Sequence, residues 1–276
     1  MGKPKSVEFE TLAGAEESYL VTGEVAEDDC PWNDPWLDNA VGAMQVGGVY
    51  TFAARKGTGK SFSMLRQLLL LEEPSLFLSL EDPLREVGRR VAAAPGTRAA
   101  KERVKLLIPA RPRLSFIIDA MARSGARVVG LDYLQIVQDD SGSSVFDRMG
   151  QIRNIISELK GALRENKQSL VLNAQLKRPD RSSGDDDNAN EFGPGPQSEP
   201  RGTIFNIRDS SDVENQSEAV ILIHRIGRTK FDQTVGAVKS KVGGERRAFI
   251  RGRGGWPELV SSVDTVKPTE YDELFK

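Results

Sequence analysis

The sequence has one cysteine, Cys30, and one histidine, His224, among its 276 residues. A single cysteine excludes a disulfide framework and any metal site built from several cysteines, and it suits a reducing compartment. A single histidine excludes a catalytic histidine pair and a histidine-rich metal site. No apolar run approaches the roughly 18 residues of a membrane span, and Met1–Ser6 opens with polar residues, so no membrane partner is expected.

Basic residues are missing from Ser6–Ala54, which carries ten Asp or Glu. The balance reverses in Arg225–Arg253, where nine Lys or Arg face two acidic residues. The formal net charge of −2 is therefore a cancellation between an acidic start and a basic end, and it does not exclude a nucleic-acid partner. It limits the affinity of a single subunit for DNA, so we expect binding to depend on assembly.

Short apolar runs alternate with helical patterns through most of the chain. The apolar runs predict strands at 49–54, 75–80, 104–108, 127–132, 169–173 and 219–223. Helical spacing of apolar residues predicts helices at 59–72, 83–93, 113–124 and 146–166. This alternation is typical of the α/β class, with a mostly parallel central sheet flanked by helices.

The composition divides the chain into three parts. Residues 1–40 predict an acidic N-terminal arm or linker, 41–260 the α/β domain and 261–276 a C-terminal tail. Within the domain, residues 235–240 and 246–251 predict a C-terminal β-hairpin around Gly243 and Gly244. The stretch 179–203 is rich in Gly, Pro, Ser and Asp with a single aromatic residue, which predicts a mobile loop.

The strongest local signal is a P-loop between a predicted strand and a predicted helix. It consists of Ala54, Arg55, Lys56, Gly57, Thr58, Gly59, Lys60 and Ser61. Glycines allow the backbone N–H groups to turn toward phosphate oxygens, and the helix N-terminus adds a partial positive charge. We expect Lys60 to reach the terminal phosphates and the Ser61 hydroxyl to bind Mg²⁺.

Two further strands end in carboxylates. Val128–Asp132 is an apolar run that closes on Asp132, the Walker B pattern that supports Mg²⁺, although such an Asp can instead cap a following helix. Ser75–Leu80 leads into Glu81, which we expect to polarise the attacking water, and Asp82, which we expect to cap the helix that follows. Carboxyl ends of parallel strands meet at one edge, so these groups should converge on the phosphates.

Six motifs in order resemble the DnaB family of replicative helicases. They are MQVGGVYTFAARKGTGKS, LFLSLEDP, VVGLDYLQIV, LNAQLKRP, IRDSSDVENQSEAVILIHR and KSKVGG, and the resemblance extends from about Leu37 to Trp256. It implies a RecA-like P-loop NTPase that assembles as a hexameric ring, with ATP between subunits and single-stranded DNA in the channel. It also implies that Glu81 is the base, that Gln175 senses the γ-phosphate, and that Lys239 and Lys241 act on the neighbouring subunit's nucleotide.

The sequence departs from the family in three places. Position 241 is Lys where the family usually has Arg, so Arg246 or Arg247 is an alternative trans-acting residue. About 40 residues stand where the family has a helical domain that meets primase, and Trp32 and Trp36 could anchor this arm on a neighbouring subunit, the alternative being an unanchored tail. The central loop is acidic, and its candidate DNA contacts are Arg178, Arg181, Arg201 and Arg208.

The leading hypothesis is an ATP-dependent, ring-forming DNA helicase of phage or plasmid type, working in the cytoplasm of a bacterial host. Its cofactors would be ATP and Mg²⁺, and its partners single-stranded DNA, other copies of the chain, and a primase, loader or polymerase. Two alternatives remain open: a RecA-like recombination or strand-annealing ATPase that binds single strands without unwinding, and a non-motor ATP-binding regulatory protein.

Overall fold

The structure, a computed structural model, describes residues 28–94, 96–140, 148–176, 211–225, 233–240, 246–253 and 256–262. The helices are α1 (Pro35–Val41), α2 (Lys60–Leu70), α3 (Leu84–Ala93), α4 (Arg98–Arg103), α5 (Leu114–Ser124), α6 (Arg148–Glu165) and α7 (Ser211–Gln216). The strands are β1 (Val49–Ala54), β2 (Ser75–Ser79), β3 (Val104–Leu107), β4 (Val128–Asp132), β5 (Ser169–Gln175), β6 (Ala219–Arg225), β7 (Gln233–Ser240), β8 (Arg246–Arg253) and β9 (Trp256–Ser262). None of these helices is long and apolar enough to cross a membrane.

The strands form one nine-stranded sheet in the order β3-β2-β4-β5-β1-β6-β7-β8-β9. The six strands from β3 to β6 in this order pair in parallel, and β7, β8 and β9 continue the sheet antiparallel. The predicted α/β class with a mostly parallel sheet is confirmed, as are the two hairpin strands. The sequence did not predict β9, whose Pro257 is tolerated because β9 is an edge strand.

Buried side chains cover both faces of the sheet. Because successive strand residues point to opposite faces, Tyr50 and Phe52 of β1 pack in one cluster with α2 residues such as Met64. Val49 and Ala53 belong to the cluster on the other face, which contains buried residues of α5 and α6. The strands therefore read as continuous apolar runs, as expected of a sheet with helices on both faces.

The chain just before β1 is part of this core. Trp32 is fully buried, and the centre of its ring lies 5.2 Å from the ring centre of Tyr50 and 6.2 Å from that of Phe52. Trp36 is 7% exposed. Asp34 caps α1 by accepting hydrogen bonds from the N–H groups of Trp36 and Leu37 at 3.1 and 3.4 Å. The expectation that Trp32 and Trp36 anchor a neighbouring subunit is wrong, because their own chain buries both rings. Residues 1–27 of the predicted arm lie outside the described residues.

Candidate active site at the carboxyl end of the sheet

The P-loop connects the end of β1 to the start of α2. Gly57 and Gly59 adopt positive φ angles of 81° and 102°, which only glycine adopts without strain. The Thr58 hydroxyl donates a 2.7 Å hydrogen bond to the Arg55 carbonyl and closes the turn. A Cβ placed on Gly57 would meet no atom of the described residues within 4 Å, so none of them fills the space beside the loop at this point. The N-terminus of the 11-residue helix α2 lies directly behind it, as a phosphate site requires.

Lys60 opens α2 and lies within the electrostatic reach of both predicted carboxylates. Burial is the main cause that lowers the pKa of its ammonium group. The negative charges of Asp132 and Glu81 act in the opposite direction, and the Lys56 charge adds to the lowering. The three residues that sequence patterns placed at one site are therefore close enough to interact.

Asp132 ends β4 and is 1% exposed. Its Oδ1 accepts a 2.9 Å hydrogen bond from the Asn173 amide, while its Oδ2 is buried and makes no hydrogen bond within the described part of the chain. Burial raises the pKa of Asp132, and Ser61, Asn173 and Lys60 oppose that rise. A buried carboxylate oxygen without a partner is costly in the protein alone. The arrangement fits a divalent cation or one of its bound waters beside the P-loop.

Glu81 lies beside this aspartate because β2 and β4 pair in register. Ser79 stands opposite Asp132 across the ladder, and the Leu80 N–H donates to the Asp132 carbonyl at 2.8 Å. Burial raises the pKa of Glu81, followed by the charges of Asp132 and Asp82, whereas Lys60 and Lys56 lower it. Glu81 is nonetheless an exposed residue. It is thus a carboxylate of increased basicity that water can reach, as a general base must be.

Asp82 does not cap the helix that follows it. Pro83 occupies the cap position of α3 without a side-chain hydrogen bond. The Asp82 carboxylate instead forms an ion pair with Arg90 of α3, eight residues further along the chain. The expectation of a capping aspartate is wrong because a guanidinium on the same helix competes for the carboxylate.

Gln175 is the last residue of β5 and is half-buried. It stands opposite Ala54, the first residue of the P-loop, and the Leu176 N–H donates to the Ala54 carbonyl at 3.0 Å. The structure therefore brings Gln175 to the same edge of the sheet as Lys60, Glu81 and Asp132.

Other predicted residues are not part of this cluster. Lys239 on β7 stands opposite Val220, which in turn pairs with Thr51, nearer the start of β1 than its P-loop end. The register thus places Lys239 away from the phosphate loop of its own chain. Residues outside the described part of the chain are Lys241 and the four candidate DNA contacts Arg178, Arg181, Arg201 and Arg208. Strand β8 contains Arg246 and Arg247.

Sequence reasoning missed Asn173, which orients Asp132. The signal was present, because Asn173 is a polar residue inside the otherwise apolar run of β5 and is fully buried. A buried polar side chain in a strand core needs a partner, and here the partner is a carboxylate at the site.

Comparison with solved structures agrees with this architecture. One similar structure is that of a DnaB-like replicative helicase, which also concerns its interactions with primase. It superposes on this chain with a TM-score of 0.69 at 16% sequence identity, over 91% of this chain and 67% of that chain. The crystal structure of the RadB recombinase superposes with a TM-score of 0.55 at 13% identity, over 82% and 97%.

The fold is RecA-like. The predicted fold class and the resemblance to a DnaB-like structure are confirmed at this level. No protein-family model and no curated protein sequence matches the chain. At these identities the likeness concerns the fold, and RecA-like ATPases are the class to which its structural neighbours belong.

Proposed function

We propose that this chain is an ATP-dependent DNA helicase that assembles as a ring, moves along single-stranded DNA and unwinds duplex during replication. The proposal rests on the position of Lys60, Glu81 and Asp132 at one edge of the sheet. There the charges of Glu81 and Asp132 favour a higher pKa for Lys60, and the Lys60 charge favours a lower pKa for Glu81. Among the two solved structures compared, the DnaB-like helicase superposes more closely than the recombinase, which favours a helicase.

Each residue of the edge has a role that its geometry supports. The P-loop N–H groups and Lys60 hold the phosphates, and Ser61 and Asp132 hold Mg²⁺. Bound Mg²⁺ and ATP would supply the phosphoryl group and the charge neutralisation that its transfer requires. Glu81 accepts a proton from the attacking water, consistent with its raised pKa and its exposure. Gln175, which stands opposite Ala54, contacts the terminal phosphate and couples phosphate binding to the loop that follows β5.

The remaining roles require an assembly. In a ring, Lys239 and Lys241 would reach the nucleotide of the adjacent subunit, with Arg246 or Arg247 as the alternative donor. The register of Lys239, which places it away from its own P-loop, is compatible with action on a neighbour. Arg178, Arg181, Arg201 and Arg208 would contact the phosphates of single-stranded DNA, giving salt-dependent binding with little sequence preference. Such a helicase would work in the cytoplasm of a bacterial host alongside a primase, loader or polymerase.

A second candidate is a recombination or strand-annealing ATPase. The likeness to RadB favours it, because it extends over 97% of the length of that recombinase. Such a protein would bind single strands and hydrolyse ATP without separating a duplex.

Unwinding of a fluorescently labelled forked duplex distinguishes these functions. The wild-type chain should separate the strands only with ATP and Mg²⁺, and the matched Lys60→Ala variant should not. DNA-stimulated hydrolysis without strand separation would support the recombination ATPase instead. Absence of hydrolysis in the wild type would contradict both and favour a non-motor ATP-binding protein.

A further inference from the structure

Arg90 on α3 forms a two-pronged contact with the loop that carries Glu81. One guanidinium nitrogen bonds Asp82 Oδ2, and the other donates to Asp82 Oδ1 at 3.1 Å. The two side chains are 16% and 15% exposed. A guanidinium that holds both oxygens of a carboxylate fixes its position as well as neutralising its charge.

The same guanidinium also contacts the P-loop helix. Its central carbon lies 5.3 Å from the centre of the Phe62 ring, within the range of a cation–π interaction. Phe62 follows Ser61 in the first turn of α2 and packs against the core. Arg90 thereby links the loop after β2 to the helix that begins with Lys60.

Glu81 itself makes no hydrogen bond or ion pair with another described residue, so its position depends on its neighbours in the chain. Before it, the Leu80 N–H donates to the Asp132 carbonyl at 2.8 Å. After it, the Asp82 carbonyl accepts from the Ser79 hydroxyl at 3.1 Å, and the Asp82 carboxylate is held by Arg90. The residue before Glu81 is therefore bonded to β4. The residue after it is bonded to Arg90 of α3, and Arg90 in turn contacts Phe62 of α2.

We propose that Arg90 is a positioning residue for Glu81: its contacts with Asp82 and Phe62 hold the carboxylate at a fixed distance from the phosphates bound by the P-loop. This inference rests on the proposed ATP hydrolysis. A displacement of about 1 Å in a catalytic group can reduce turnover by about 100-fold, so a residue that touches neither nucleotide nor water can still set the rate.

Three variants of the full chain test this role. Arg90→Gln removes the charge and the two-pronged contact, Arg90→Lys keeps the charge alone, and Arg89→Gln is the matched control on the next residue. Arg89 is 67% exposed and pairs with Glu86 on its own helix. We expect kcat for ATP to fall by roughly 10- to 100-fold in Arg90→Gln, with KM and the affinity for a fluorescent nucleotide changed less than about two-fold. Arg90→Lys should recover part of kcat, and Arg89→Gln should match the wild type.

A second measurement needs no nucleotide. Hydrogen exchange of the free protein should become faster in Arg90→Gln at the hydrogen-bonded amides of Leu80 and Val87, which flank the Glu81 loop. The amides of β4 should stay protected, and Arg89→Gln should leave both sets unchanged. Wild-type kcat and unchanged exchange in Arg90→Gln would overturn the inference while leaving the proposed function intact. So would an equal loss of nucleotide affinity and kcat, which would indicate general damage to the site. A wild-type chain that does not hydrolyse ATP would instead contradict the proposed function.

Discussion

Helix α2 contacts two regions of opposite character. At its first turn lies the site edge, the cluster of Lys60, Glu81, Asp132 and Gln175. One buried carboxylate oxygen of this cluster, Asp132 Oδ2, has no hydrogen-bond partner within the described part of the chain. Further along it lies the N-terminal segment, residues 28–44, whose polar groups are paired. Arg66 of α2 donates to Asp34 at 2.5 Å, and Gln67 donates to the Trp32 carbonyl at 2.5 Å.

This contrast indicates that the first turn of α2 serves the candidate site, whereas the following turns hold the helix in place against the N-terminal segment. Among the described residues, the site edge keeps one buried carboxylate oxygen of Asp132 without a hydrogen bond, which costs stability and leaves that oxygen available to a ligand. The N-terminal segment buries two tryptophans and an ion pair against the same helix and stabilises the position from which Lys60 projects. Changes at the site edge should therefore alter activity with little effect on folding, and changes in the N-terminal segment should do the reverse.

Glu81→Gln should give the largest effect on activity. An amide cannot accept the proton from water, and general-base catalysis typically contributes 10²- to 10⁴-fold, about 3 to 5 kcal/mol of the barrier. Steady-state hydrolysis should fall by this factor, while equilibrium nucleotide binding and the melting temperature stay near wild type. Unchanged hydrolysis would contradict the assignment of Glu81 as the base.

Asp34→Ala should give the largest effect on stability. It removes the cap of α1 and leaves the guanidinium of Arg66, which is 16% exposed, without its carboxylate, a loss of about 3 to 5 kcal/mol in the free energy of unfolding. The matched control is Asp119→Ala, whose exposed pair with Arg123 should contribute less than about 1 kcal/mol. Chemical denaturation of both variants measures the difference. Equal losses would show that the N-terminal segment does not stabilise the domain.

Gly130→Ala should affect both properties to a smaller degree. A Cβ on Gly130 of β4 would lie 2.8 Å from Leu68 Cδ1 and 3.1 Å from Met64 Sδ, so these two buried side chains of α2 must shift. Overpacking of this kind costs about 1 to 3 kcal/mol and should also lower hydrolysis, since α2 carries Lys60. The control is Gly161→Ala on α6, where an added Cβ would lie within 4 Å of none of the described neighbouring atoms; it should be neutral or stabilising. A wild-type melting temperature for Gly130→Ala would contradict the close packing.

The smallest expected effect is a shift in the pH at which hydrolysis is lost on the acid side. Glu81 must be ionised to act as a base, and its pKa is raised by burial and by Asp132 and Asp82, so activity is lost as the pH falls through that raised pKa. The acid limb of kcat should therefore lie above the ordinary glutamate value of about 4.3. Asp34→Ala, measured at a temperature where it remains folded, should keep the same limb. A limb at or below the ordinary value would contradict the described environment of Glu81.

The sequence predicted the site edge better than the N-terminal segment, for a physical reason. The P-loop and the strand ending at Asp132 are contiguous patterns, and parallel pairing brings strand ends together without further information. Trp32 is buried against Tyr50, a contact that no local periodicity encodes. The cap formed by Asp34 before Pro35 was readable as a helix start, but a seven-residue helix carries too little apolar pattern to indicate what it packs against.

The sequence also could not predict contacts for which two groups compete for one side chain. Asp82 had two partners consistent with its position, the backbone of α3 and the guanidinium of Arg90, and the sequence could not rank them. Asn173 and Asp132 are 41 residues apart and meet only because β4 and β5 are neighbours in the sheet.

Phosphate release from ATP, measured with and without single-stranded DNA for the wild-type chain and Lys60→Ala, tests the central claim most directly. The proposed function predicts hydrolysis by the wild type that single-stranded DNA stimulates, and none above background in Lys60→Ala, with both proteins equally folded by circular dichroism. Equal phosphate release by the two proteins, or none by the folded wild type under any condition, would contradict it.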